Sequence, residues 1–220
     1  MKFEDVIKSL YLQSKLIKLE EKEYVIKCYS TSAGIKWYFI SSFFKSYPYA
    51  SSPRERMNRE IDFFTRKWSE IGTPKIIDMD YETNCIMRDY IKGRPIETEE
   101  DFLMLGKAFK IIHENGLSLG DTKIENFIVN EKIYVIDAEQ AIQTKEEKYF
   151  AWDILVFLLF LSYKYINDLK NFEKMSRAFL NSYKPTQKEI SYILDIRNIN
   201  VLTLFPPMAL NLIKKIIAEL

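Results

Sequence analysis

Glycine is scarce in this chain, with six among 220 residues, and none precedes Gly34, which excludes a glycine-rich phosphate loop in the first hairpin. Cysteine is rarer still. Cys28 and Cys85 are too few for a disulfide scaffold or a four-ligand zinc site, and a single histidine excludes a His-built metal centre. Both cysteines fall in strand-like stretches, where they are expected as small core residues in a reducing, cytoplasmic setting. Neither sign of charge dominates. With 32 Lys and Arg against 31 Asp and Glu the net charge is +1, leaving no overall electrostatic footprint for direct binding of nucleic acid or an anionic membrane. The most apolar run, Ile154 to Leu161, is about half of the roughly 20 residues that a bilayer span needs and reads as the central helix of a globular lobe. Met1 to Leu12 has early acidic residues and no small-residue cleavage site, unlike a signal peptide. What is present, 47% hydrophobic and 29% charged residues, suits one generous core or two small lobes.

The first third alternates with period two. Leu16 to Leu19 and Tyr24 to Cys28 read as strands joined at Glu20-Glu21-Lys22, and Lys75 to Met79 and Asn84 to Tyr90 as strands around Asp80-Tyr81-Glu82-Thr83. Between them, past an aromatic stretch from Lys36 to Tyr49 expected to pack between lobes, Ser52-Pro53-Arg54-Glu55 has the capping-box pattern with proline at the first helical position. The predicted helix runs to about Ile71 and ends at Gly72. Beyond Gly93 the period becomes helical. Thr98 with Glu99, Glu100 and Asp101 opens a helix that closes at Asn115-Gly116. Further helices are predicted over Lys148 to Tyr165, Leu169 to Tyr183 and from Thr186, with Pro206-Pro207 breaking the last. The fold class is therefore α+β and bilobal, with residues 1–91 as a small β-rich lobe and 92–220 as a mostly helical one.

Two places carry chemistry. On the helix from Pro53, Glu60 lies at the edge of the stripe formed by Met57, Ile61, Phe64, Trp68 and Ile71. There it either faces water or pairs with a cation, for which Lys27 is the natural candidate. Downstream, Phe127 to Val129 and Ile133 to Ile136 form a hairpin around Asn130-Glu131-Lys132. Pairing sets Asn126, at the entry of one strand, beside Asp137, at the exit of the other, and Asp121 stands one short loop upstream. Three oxygen-bearing side chains at one mouth suit a hard cation such as Mg²⁺.

The stretch Asp121-Thr122-Lys123-Ile124-Glu125-Asn126, followed by a hairpin ending in Ile136-Asp137, resembles the catalytic loop and metal-binding aspartate of the protein-kinase superfamily. Leu119-Gly120 before Asp121, and the short path from Asp137 to the next helix, are more similar to the small atypical kinases of the RIO and Bud32 type. The resemblance implies an ATP- and Mg²⁺-dependent (or Mn²⁺-dependent) serine/threonine protein kinase. Lys27 would hold the α/β-phosphates and pair with Glu60, and Asp121 would act as the base toward the acceptor hydroxyl. Lys123 would neutralise the transferring group, Asn126 and Asp137 would bind metal, and Met87, Asp89 and Tyr90 would offer backbone groups to adenine. Asp153 either opens a helix favoured by the dipole or ties down the catalytic loop; His113 is expected to be a packing residue. Ala138-Glu139 follows Asp137 in place of Phe-Gly, and the Asn211 to Leu220 end lacks the strongly basic tail of Bud32-type proteins. Two other readings keep part of this pattern. A small-molecule (sugar or aminoglycoside-like) kinase shares the same motif but carries extra helices for which this chain has little room. A pseudokinase or ATPase-type binding module is suggested by the missing glycine loop and opposed by the retained Lys27, Glu60, Asp121, Asn126 and Asp137.

Overall fold

The computed structural model describes residues 13–220, so the signal-peptide reading of Met1 to Leu12 lies outside the described residues. Strands β1 (Ser14–Leu19) and β2 (Lys22–Cys28) form the expected hairpin, with Leu16 opposite Val25 and Ser14 opposite Lys27. Glu20 takes a positive φ of 55° at its turn, where no glycine is available. Strands β3 (Ile76–Asp80) and β4 (Cys85–Asp89) make a second hairpin, and β4 inserts beside β2, giving the antiparallel order β1-β2-β4-β3.

Helix α1 (Thr31–Phe43) occupies most of the aromatic stretch, for which no element is predicted. Its apolar residues are split between faces, with Trp37 buried and Tyr38, Phe39 and Phe43 exposed, so the stretch shows no clean helical period. Helix α2 (Pro53–Phe64) starts at the predicted proline, but Ser52 makes no side-chain cap, and the Glu55 carboxylate pairs with Arg59 at 2.6 Å. It also stops seven residues short of Ile71. Side chains from the following segment take its terminal carbonyls: Thr65 Oγ1 donates to Ile61 O, Trp68 Nε1 to Phe63 O and Thr73 Oγ1 to Phe64 O. Ile71 is buried all the same, and Gly72, rather than capping a helix, pairs with Ile133 and Val135 of the later hairpin.

The remainder follows the helical reading closely. Helix α3 (Glu99–Glu114) opens with a complete Thr98–Asp101 capping box and closes at Asn115. The two-residue strand β5 (Leu117–Ser118) pairs with β8 (Ile142–Gln143), and β6 (Phe127–Val129) pairs with β7 (Ile133–Val135). Helix α4 (Glu147–Lys164) contains the apolar run, buried all round except at its end. It is followed by α5 (Leu169–Tyr183), α6 (Gln187–Ile193), α7 (Ile199–Leu202) and α8 (Pro207–Ala218). The helix expected from Thr186 to Pro206 thus breaks into two, where Asp195 caps a short 3₁₀ turn and Asn198 Nδ2 donates to Tyr192 O. No helix among the described residues is long and apolar enough to cross a membrane.

The buried side chains form two unequal clusters. Tyr29, Met57 and Ile86, joined by Ile61, sit beneath the four-stranded sheet, while the large cluster runs from Tyr47 to Ile217 and includes Phe63 and Phe64 of α2. One correction concerns the cysteines. They are directly opposed on β2 and β4 and form a disulfide, half-exposed at the end of the sheet rather than in either core. A cystine is typical of oxidising surroundings, so the cysteine content no longer argues for a reducing compartment.

Candidate active site

Lys27 lies on β2 facing the interior, and α2 passes beneath it with Glu60. Lys27 Nζ reaches Glu60 Oε2 at 2.6 Å, Asp137 Oδ1 at 3.0 Å and Glu139 Oε2 at 3.4 Å. Of the two readings of Glu60, the paired one holds: its side chain is fully buried. Burial disfavours the Lys27 ammonium, yet Asp137, Glu60 and Glu139 together hold it well above the ordinary lysine value. The same burial pushes Glu60 up to about 7 against the pull of Lys27. Asp137 is opposed by burial too, but Lys27 and Lys123 bring it down to about 2, so it is ionised at neutral pH.

Asp121, Asn126 and Asp137 converge as the hairpin geometry requires. Ile136 N donates to Asn126 O at 2.9 Å, setting Asn126 next to Asp137. Asn126 Nδ2 donates to Asp121 O at 2.8 Å, which fixes the amide and turns Oδ1 into the available acceptor. Lys123 Nζ lies 3.5 Å from Asp121 Oδ2. Burial raises the Asp121 carboxyl, partly offset by Lys123.

Asp153 settles its own ambiguity by position, being in the second turn of α4 and fully buried rather than at the helix start. Its carboxylate accepts from Leu119 N (2.6 Å), Gly120 N (2.7 Å), Ser118 Oγ (2.9 Å) and His113 Nε2 (3.0 Å). His113 is in turn bound to Tyr183 OH at 2.7 Å and stacked on Phe150. The packing histidine therefore orients the aspartate that holds the loop. Gly120 has φ +74°, and a Cβ there would stand 2.4 Å from the Tyr47 ring, so the residue before Asp121 is required to be glycine. Tyr49 OH donates to Gly120 O, Trp152 Nε1 donates to Tyr49 OH, and Tyr47 OH reaches the carbonyls of Ser118 and Gln140. Part of the aromatic stretch is thus a brace behind the loop.

A cleft of about 360 Å³ opens between the sheet and the hairpin, with Leu16, Val25, Tyr90, Ile128, Ile136 and Asp137 in its walls. Side chains alternate along β4, so Met87 and Asp89 point away from the cleft and neither is among its wall residues, unlike Tyr90; the Asp89 carboxylate accepts from Lys75 N on the outer side.

Sequence reasoning gave Glu139 no role. It is buried, accepts from Trp37 Nε1 at 2.7 Å, and lies 3.4 Å from both Arg56 Nη1 and Lys27 Nζ. A buried Arg56 one turn before Glu60 on α2 was the available signal, since a buried guanidinium demands an acceptor. Glu60, Asp137 and Glu139 each offer a carboxylate oxygen within 4.8 Å of the others. With the Asn126 amide oxygen beside ionised Asp137, the donor set is all oxygen and fits a hard divalent cation.

No family model matches the sequence. A 108-residue stretch is 32% identical to a probable bifunctional tRNA threonylcarbamoyladenosine biosynthesis protein of Thermoplasma acidophilum, covering 46% of this chain but only 20% of that protein's length. Among solved structures, choline kinase LicA from Streptococcus pneumoniae is 14% identical and superposes over 94% of this chain and 90% of its own, with a TM-score of 0.52. WaaP, solved in complex with acyl carrier protein, is 13% identical over 90% and 84% of the two chains, with a TM-score of 0.49. At such identities the likeness to LicA is one of fold. It agrees with the kinase-like fold that the loop from Asp121 and its hairpin implied.

Proposed function

We propose that the chain is a phosphotransferase that moves the terminal phosphoryl group of a purine nucleoside triphosphate such as ATP to a hydroxyl, with a serine or threonine of a protein as the leading acceptor. The observation that carries this is the Lys27–Glu60 pair held 3.0 Å from Asp137 at the mouth where Asp121 and Asn126 converge. On this reading the chain divides after residue 91 into a small nucleotide-binding lobe and a larger lobe, 92–220, with the cleft between them. Lys27 binds phosphate oxygens and is aimed by Glu60 and Glu139. Asp121, held by the loop that Asp153 anchors, accepts the proton of the attacking hydroxyl, and Lys123 offsets charge gathering on the transferred group. Asn126 and Asp137 would hold Mg²⁺ or Mn²⁺, which would supply positive charge to offset that of the phosphates.

A small-molecule acceptor is the second reading, and one observation favours it. The segment from Ala138 to Glu146 is consumed by internal contacts: Glu139 and Gln140 are buried, Gln140 bonds both polar groups of Ala50, and Ile142–Gln143 pairs with β5. The chain also covers 90% of a choline kinase, so the argument from limited room loses its force.

Incubation with γ-labelled ATP and GTP plus Mg²⁺ or Mn²⁺ tests the proposal, offering generic protein substrates and a panel of choline, sugar and aminoglycoside alcohols. Transfer is expected for the native chain and a fall of at least about 100-fold in Asp121→Asn and Asp137→Ala. Label confined to a small molecule selects the second reading. Absence of transfer, together with absence of metal-dependent nucleotide binding, overturns both.

A further inference from the structure

Arg88 is a wall residue of the cleft with no task in the reaction just described. It stands on β4 opposite Val25, so alternation turns its side chain to the same face as Val25 and Ile86, and it is only 6% exposed. A guanidinium is always charged and carries five N–H donors, and a buried one normally meets a carboxylate. Among the described residues Arg88 forms no ion pair. Nη2 donates to Ile136 O at 3.0 Å, the guanidinium lies 5.8 Å from the centre of the Phe64 ring, and Nε is buried without a partner.

Its place gives this anomaly a direction. Asn126 and Asp137 mark the phosphate end of the cleft, with Lys27 behind its wall, 3.0 Å from Asp137. The apolar portion lies between Leu16 and Val25 on the sheet side and Ile128 and Ile136 on the hairpin side, and Arg88 is the one cation among the described residues that line the cleft.

We infer that Arg88 selects the base of the nucleotide, favouring a 6-oxopurine, guanine or hypoxanthine, over adenine; this rests on the nucleotide-cleft reading above. A purine slotted between those apolar walls turns one edge toward the guanidinium. Guanine and hypoxanthine present two acceptors there, O6 and N7, which match a bidentate arginine. Adenine carries an amino donor in place of O6 and sets donor against donor. A good bidentate pair discriminates by roughly 5- to 150-fold in affinity.

Equilibrium titration of the full chain with GTP, ITP and ATP in Mg²⁺, repeated with Arg88→Met, tests the assignment. ITP isolates the 6-oxo edge because it lacks the guanine amino group. The native chain is expected to bind GTP and ITP at least about fivefold more tightly than ATP, and Arg88→Met to lose that preference while retaining nucleotide. Equal or tighter binding of ATP by the native chain overturns the inference, as does an equal loss of all three nucleotides in Arg88→Met, which would place Arg88 on the phosphates. The native ratio decides the matter alone if Arg88→Met fails to fold. Failure of every triphosphate to bind overturns the nucleotide reading itself, and this inference with it.

Discussion

At the scale of single residues the site is held by buried groups whose alternatives to pairing are costly. Asp153 accepts four hydrogen bonds with its two carboxylate oxygens and is fully buried, so it is both a stability element and the clamp on the loop before Asp121. Replacing it by asparagine keeps the shape and sets an amide donor against N–H and O–H donors. Asp153→Asn is expected to destabilise the fold by about 2–3 kcal/mol. It should also reduce kcat more than it weakens nucleotide binding, because Lys27, Glu60 and Asp137 are not its partners. Denaturant melts and a kcat-against-KM comparison check this; an unchanged kcat with the stability loss intact would make Asp153 purely structural. Glu60 shows what residue-level reading of sequence leaves open. Its helix stripe is legible from Met57, Ile61 and Phe64, but the sequence does not choose between water and Lys27; the passage of β2 over α2 makes Lys27 the partner.

Between elements, the junction after β4 is held by Arg94, whose two Nη atoms each lie 2.6 Å from the Asp101 carboxylate at the first turn of α3. Arg94 also pairs through its backbone with Val129, tying the junction to the hairpin beside Asp137. Burial alone would raise the Asp101 carboxyl, but Arg94 and the N–H groups of Thr98 and Glu97 hold it well below the usual carboxylate range. A carboxyl that binds its proton less readily when folded adds stability above its unfolded value near 4 and loses it as pH falls below that value. Asp101→Asn is therefore expected to melt several degrees below the native chain at pH 7, with the gap closing toward pH 2. Thermal melts across that range check it, and a gap independent of pH would assign the effect to shape rather than charge. Thr98 and Thr186 head complete capping boxes, whereas the box suggested by Ser52-Pro53-Arg54-Glu55 does not form. Asp101 and Glu189 each turn back to their caps, while the Glu55 carboxylate pairs with Arg59 one turn away on its own helix.

For the whole molecule, strand order is decisive. Inserting β4 between β2 and β3 brings Cys85 opposite Cys28, 57 residues earlier, and the resulting disulfide closes a loop containing α1, α2 and β3. Closing a loop of that length removes unfolded-state freedom worth about 4 kcal/mol in the chain-entropy treatment, with about 2–4 kcal/mol typical of measurement. Reduction, or Cys28→Ser with Cys85→Ser, should lower unfolding stability by that amount while leaving the sheet assembled, since Tyr29, Met57 and Ile86 still pack beneath it. Denaturant unfolding with and without a phosphine reductant measures the difference; no difference would show that the loop is already constrained without the bond.

The sequence by itself determined what depends on near neighbours: the two early hairpins, the capped helices, the apolar central helix, and the opposition of Asn126 and Asp137 across a short turn. These follow from period and hydrogen bonding within a few residues, and they sufficed to indicate the fold class and the loop motif. Only the tertiary structure decided what lies between distant segments: that Lys27 gathers Glu60, Asp137 and Glu139, that Trp37 and Arg56 reach Glu139, that the cysteines bond, and that Arg88 rather than Met87 faces the cleft. Each of these depends on which strand lies beside which and in what register, and a one-residue slip would exchange Arg88 for its neighbours.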